Sequence, residues 1–185
     1  MDWPHSPSFS KLSPNQTGTA TITVTVSDGL LSTSTSFVLT VNPFFAATSG
    51  TITAPFIATD NTISQPAYTS VTAGGRAVYS FTIGATGDYL VSALVNAPDD
   101  GANSFYVNID AEPTDSTMIW DIPITSGLTE QTVSWRGNGT HKVNQFAPKV
   151  FNLSAGTHQL IVRGREANCQ LGQITINPVM VLPAP

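Results

Sequence analysis

Apolar and polar residues alternate at every second position through most of this chain, and no segment sustains an apolar period of 3.6. A period of two puts successive side chains on opposite faces of a strand. Over residues 17–42, Ala20, Ile22, Val24 and Val26 alternate with threonines, and Phe37, Leu39 and Val41 repeat the pattern after a Ser27-Asp28-Gly29 turn. This predicts a β-hairpin with one apolar and one hydroxyl face, ended by Asn42-Pro43. From Phe44 to about Asn177 further strands are predicted at 50–53, 77–83, 88–96, 104–110, 118–122, 131–136, 149–153, 158–165 and 170–176. Turn-forming clusters at 84–87, 98–101 and 137–139 separate them. The expected fold is all-β: a jelly-roll-like β-sandwich over 44–177, preceded by a hairpin within 1–43 and followed by a Pro-bounded linker, 178–185.

The same alternation sorts the chemistry-bearing side chains by face. Leu160, Val162 and Gly164 take one face of their strand, and Arg163 and Arg165 the other. Asn108 and Asp110 share a strand face. Trp135 lies with Val133, opposite Ser134 and Arg136, so it is expected in the core. Trp120 lies with Met118 and Ile122, an inward-looking set, but Asp121-Ile122-Pro123 marks a strand end at which the ring is expected to be half exposed.

Charge narrows the function. Only 10% of residues are charged, the net charge is −5, and seven basic residues leave no electrostatic footprint for nucleic acid or an anionic membrane. No apolar span of 18 residues is present, so no membrane insertion is expected. Cys169 is the single cysteine, is expected to be buried, and cannot form an internal disulfide. The histidines (His5, His141, His158) are scattered without zinc spacing, and no nucleophile-elbow or phosphate-loop motif occurs. An enzyme is therefore not expected. The N-terminus lacks the basic start and apolar run of a signal peptide while the composition looks extracellular, so a fragment of a longer secreted or cell-surface protein is expected.

Several stretches in matching order carry a resemblance. The Phe151-Asn-Leu-Ser-Ala-Gly-Thr-His-Gln-Leu160 run, Gly75–Ile83, Gly87–Val95 and Asn103–Asp110 resemble strands of the family 6 and family 35 carbohydrate-binding modules, which have a galactose-binding-like β-sandwich. The Gly18–Gly29 stretch resembles the last hairpin of bacterial immunoglobulin-like or cadherin-like repeats, which implies that 1–43 is a truncated repeat. The first resemblance implies a non-catalytic accessory module that binds a polysaccharide and is tethered to further domains. A sugar site needs aromatic faces and planar polar groups. The candidates are Trp120, Asp121, Asn108, Glu112, Arg163, Arg165 and Glu166. Two alternatives stay open: these side chains form a purely structural ion-pair network, and the chain is a spacer or adhesin module of a large surface protein. The resemblance also raises one structural calcium, with Asp99-Asp100, Asp110, Glu112, Asp115 and Asp121 as oxygen donors, against solvated acidic loops. Here the family's early Glu-Ala-Glu motif is not recognisable, and Asp110 is followed by Ala-Glu-Pro instead of Gly.

Overall fold

The computed structural model describes residues 18–140, 142–143 and 145–179. Residues 1–17 of the expected repeat remnant, His5, His141 and most of the expected linker lie outside them.

Fourteen strands follow in chain order among the described residues: β1 (Gly18–Ser27), β2 (Ser32–Val41), β3 (Phe44–Phe45), β4 (Thr51–Thr53), β5 (Ile57–Thr59), β6 (Thr62–Ser64), β7 (Arg76–Ile83), β8 (Gly87–Asn96), β9 (Ser104–Ile109), β10 (Ile119–Asp121), β11 (Thr129–Thr132), β12 (Phe151–Leu153), β13 (Gly156–Gly164) and β14 (Gln170–Pro178). One sheet runs β10-β9-β13-β7-β4; its partner runs β11-β8-β14-β6-β5, with β12 on β8 and β3 on β14. β1 and β2 form a separate two-stranded antiparallel sheet. The chain is an all-β sandwich preceded by a hairpin, as the alternation predicts.

The two large sheets bury their inward-facing positions against each other. Tyr79 and Phe81 of β7, Val91 and Val95 of β8, Val107 of β9 and Leu160 and Val162 of β13 all belong to one core cluster. At about 25 cal/mol per Å² of apolar surface removed from water, this burial is the main stabilising term of the sandwich. Cys169 is buried among them, and burial pushes its thiol well above the usual range.

Three short strands escaped the alternation. β3, β5 and β6 have two or three residues each, too few to show a period. The β5–β6 pair did carry a signal: two residues, Asp60-Asn61, separate Thr59 from Thr62, and Asp60 adopts a positive φ of 52°. The predicted strand 131–136 stops at Thr132 for a different reason. Arg136 N donates to Ile119 O and Gly137 N to Thr117 O, both at 2.8 Å, so the chain leaves β8 and closes the open side of the sandwich against β10. Trp135 plugs that side, with Nε1 donating to Val107 O at 2.8 Å and its ring edge-on to Phe151.

Both chain connections sit at one pole of the sandwich. Asn42 Nδ2 donates to Asn177 Oδ1 at 2.8 Å, and Ile176 N donates to Pro43 O, so the entering chain lies beside the end of β14. Ten-residue β8 begins at this pole and ends about 30 Å away at the opposite one.

Candidate functional site

The opposite pole is made of loops. β8 ends there, β9 and β14 begin there, and β10 and β13 end there. Asp100, Asn103, residues 121–124, Arg136, Lys142, Gln145 and Phe146, together with Arg165 and Glu166, enclose a cleft of about 770 Å³. Paired charges fix its walls. Arg136 binds Asp121 in a bidentate ion pair, through Nε to Oδ2 at 2.8 Å and Nη2 to Oδ1. Asp121 is 4% exposed, and its hydrogen bond holds the Arg136 guanidinium above the usual arginine range. Glu166 ties the other side: Oε1 pairs with Arg165 Nη1, and Oε2 accepts the Asn103 backbone N–H at 2.8 Å. Arg165 Nη1 also donates to Ser104 Oγ at 2.6 Å. Asp121 and Glu166 are thus both held by guanidinium groups.

Two exposed aromatic rings flank these charges. Phe146, 48% exposed, lines the cleft. Tyr68, 63% exposed, lies with its ring centroid 5.3 Å from the Arg165 guanidinium carbon. The loop that carries Tyr68 is organised by buried Gln65, whose Nε2 donates to Ala67 O and Thr69 Oγ1 and whose Oε1 accepts the Gly75 N–H. Gly164 and Gly74 permit this packing: a Cβ on Gly164 would overlap the Gln65 amide, and one on Gly74 would overlap Gly164 O.

The seven residues singled out from the sequence separate into three places. Asp121, Arg165 and Glu166 line the cleft. Trp120 does not, and the expectation of a half-exposed ring is corrected. The side chain is 1% exposed and packs on Phe105 in the core, because β10 pairs with β9 up to Asp121 and keeps Trp120 on the inner face. Asn108, Glu112 and Arg163 lie on or above the outer face of the β10-β9-β13-β7-β4 sheet, away from the cleft. Asn108 is buried there opposite Ile161. Glu112 bridges Arg76 at 2.7 Å and Arg163 at 2.9 Å, and Arg163 Nη1 also donates to Gly74 O. Partial burial raises the Glu112 carboxyl, but hydrogen bonds from Arg163 and Arg76 outweigh it and hold the group below the usual carboxylate range. Arg163 and Arg165 share a strand face as the alternation requires, yet β13 ends between them at Gly164.

The sequence reading left out Phe146, Gln145, Lys142 and Asn103 of the cleft lining. The signal for the first three was available. Residues 133–150 separate β11 from β12 without regular alternation, and so long a connection inside a compact domain is usually a functional loop.

Four of the acids raised for calcium point to other partners. Asp110 Oδ2 lies 2.6 Å from His158 Nδ1 and Oδ1 accepts the Gln159 N–H, Asp99 Oδ1 accepts the Gly101 N–H, and Glu112 and Asp121 hold arginines. Among the described residues no group of three or more His, Cys, Asp or Glu converges where a metal ion could sit. No helix among them is long and apolar enough to cross a membrane.

No family model and no curated protein matches this chain. Solved structures do. A family 35 carbohydrate-binding module from Clostridium thermocellum superposes with a TM-score of 0.52 at 9% identity over 75% of this chain and 99% of its own. A family 6 module from the Cellvibrio mixtus lichenase 5A, in complex with cellotriose, gives 0.51 at 20% over 76% and 99%. The Podospora anserina β-(1,4)-mannanase that carries a family 35 module gives 0.52 at 12% over 76% of this chain, which spans 28% of that protein. The sandwich has the fold of the family 6 and family 35 carbohydrate-binding modules. At these identities the likeness is one of fold.

Proposed function

We propose that this chain is a non-catalytic polysaccharide-binding module whose ligand lies in the Arg165 cleft. One observation carries the reading: the 770 Å³ cleft, with ion-paired planar groups and an exposed Phe146 ring, occupies the pole away from both chain connections. A polymer can reach that pole while the module stays tethered at the other, as expected of an accessory module of a secreted or cell-surface protein. Guanidinium and carboxylate groups are planar donors and acceptors suited to vicinal hydroxyls, and an exposed ring stacks on the C–H face of a pyranose. The fold neighbour described with cellotriose supports the same ligand class. An open cleft removes little area from water, so single-site dissociation constants are expected on the order of micromolar to millimolar.

Affinity gel electrophoresis against plant, algal and microbial polysaccharides tests this. Retardation by at least one polymer, lost in Phe146→Ala without a change in melting temperature, is the expected result. A blank panel favours the spacer or adhesin alternative, to which the exposed apolar face of the β1–β2 hairpin would belong.

A further inference from the structure

The cleft has a neighbour on the other side of Phe146. A second depression of about 260 Å³ lies there, lined further by Glu130, Gln131, Thr132 and Pro148. Asp121, Pro123 and Phe146 line both depressions, so the two share one boundary. Within that boundary Asp121 is buried and held by Arg136, whereas Pro123 and Phe146 are exposed. What the boundary shows to solvent is therefore a pair of apolar rings.

The far side is polar. Glu130 is exposed and Gln131 half-buried, and among the described residues neither side chain has a hydrogen-bond or ion-pair partner. Both stand on β11, the last strand of its sheet, so no further strand of that sheet closes this end. The near side offers the exposed Asp100 and Lys142. The order across the surface is thus polar groups, two rings, then polar groups again. A chain of pyranoses presents the complementary order, with hydroxyls on its ring edges and C–H groups on its faces. A pocket for a chain end needs a wall where the chain stops, and here a depression lies on each side of the rings.

We propose that the two depressions form one groove, in which a polysaccharide lies across Phe146 and Pro123 and Glu130 and Gln131 hold the units beyond the rings. This rests on the cleft being the polysaccharide site. It adds that an internal stretch of the polymer is bound, not its end.

Isothermal titration of the full chain with the trioses and hexaoses of the cello, laminari, xylo and manno series tests it, repeated with Glu130→Ala, Gln131→Ala and Phe146→Ala. In at least one series the hexaose is expected to bind about tenfold tighter than the triose, the effect of one or two well-made polar contacts. Glu130→Ala and Gln131→Ala should bring the hexaose down toward the triose and leave the triose unchanged. Their melting temperatures should hold, because both side chains lie on an edge strand. A linear soluble polymer of that series should carry several modules per chain. Equal affinity for triose and hexaose, a hexaose affinity untouched by both β11 variants, or a single module per polymer chain overturns the groove. Loss of binding in Phe146→Ala then leaves the cleft standing. No binding of any sugar by the unaltered chain, or binding untouched by Phe146→Ala, overturns the cleft reading and this inference together.

Discussion

The β1–β2 hairpin and the sandwich are written in the same alternating pattern, yet their apolar faces meet opposite fates. Val24 is 48% exposed and Phe37 53%, whereas the core side chains Val91 and Val107 are buried. The hairpin has ten residue pairs in register and cross-strand hydroxyl hydrogen bonds, Thr23–Ser36 and Thr25–Ser34, at 2.8 Å. What it lacks among the described residues is a second layer. Local pattern is enough to pair two strands, but burying the apolar face takes another sheet, and burial supplies most of the stability.

The largest test of this contrast is Trp120→Ala. Removing a ring packed on Phe105 in the core should cost about 3–5 kcal/mol in chemical denaturation. A loss under about 1 kcal/mol would show that the sandwich interior is no better packed than the hairpin face. Close behind stands Asp121→Ala, which leaves Arg136 without its bidentate partner and should destabilise by a comparable few kcal/mol.

A smaller effect concerns pH. His158 Nδ1 faces Asp110 Oδ2 at 2.6 Å and Nε2 faces Ser154 O at 2.8 Å, so both ring nitrogens meet acceptors, as an imidazolium requires. Desolvation lowers the group, but the bonds to Asp110 and Ser154 and the Asp110 charge prevail and raise it above its usual value. The sign follows. A raised folded-state value contributes stability that is fully present below the unfolded value of about 6.5 and is lost as pH rises through the folded one. The melting temperature of the sandwich should therefore decline as pH rises from about 6.5 through the raised folded-state value, and His158→Gln should remove the decline. The hairpin titrates the other way. Asp28, its single charged residue, is held below the usual range by the Leu31 and Leu30 backbone N–H groups, so its turn loosens only as pH falls through that depressed value, a change readable in the amide signals of Leu30 and Leu31.

Smaller still is Glu112→Gln, which weakens an ion bridge that is about half exposed and should cost under about 1 kcal/mol. The smallest effect closes the comparison: Phe37→Ser on the hairpin should leave the melting temperature of the sandwich within a degree or two, because that ring is not part of the core cluster. A large drop there would mean that the hairpin face is covered in solution.

Periodicity determined the strands and their faces. Runs such as 88–96 and 158–165 need no distant contact to declare themselves, because a period of two is a property of local backbone geometry. The same reasoning placed Arg163 and Arg165 outward and Trp135 inward, and the strand order carried the resemblance to a carbohydrate-binding module. Tertiary structure decided the rest. Alternation assigns a face but not what lies beyond it, so it could not tell that Arg165 opens on a cleft while Arg163 is tied down by Glu112. Nor could it show that Trp120 stays enclosed up to the end of β10, or that the connection between β11 and β12, both on β8, reaches across to β10 at Arg136 and lines one cleft with Glu166 through Gln145 and Phe146. These juxtapositions join segments far apart in the chain, and long-range packing alone brings them together.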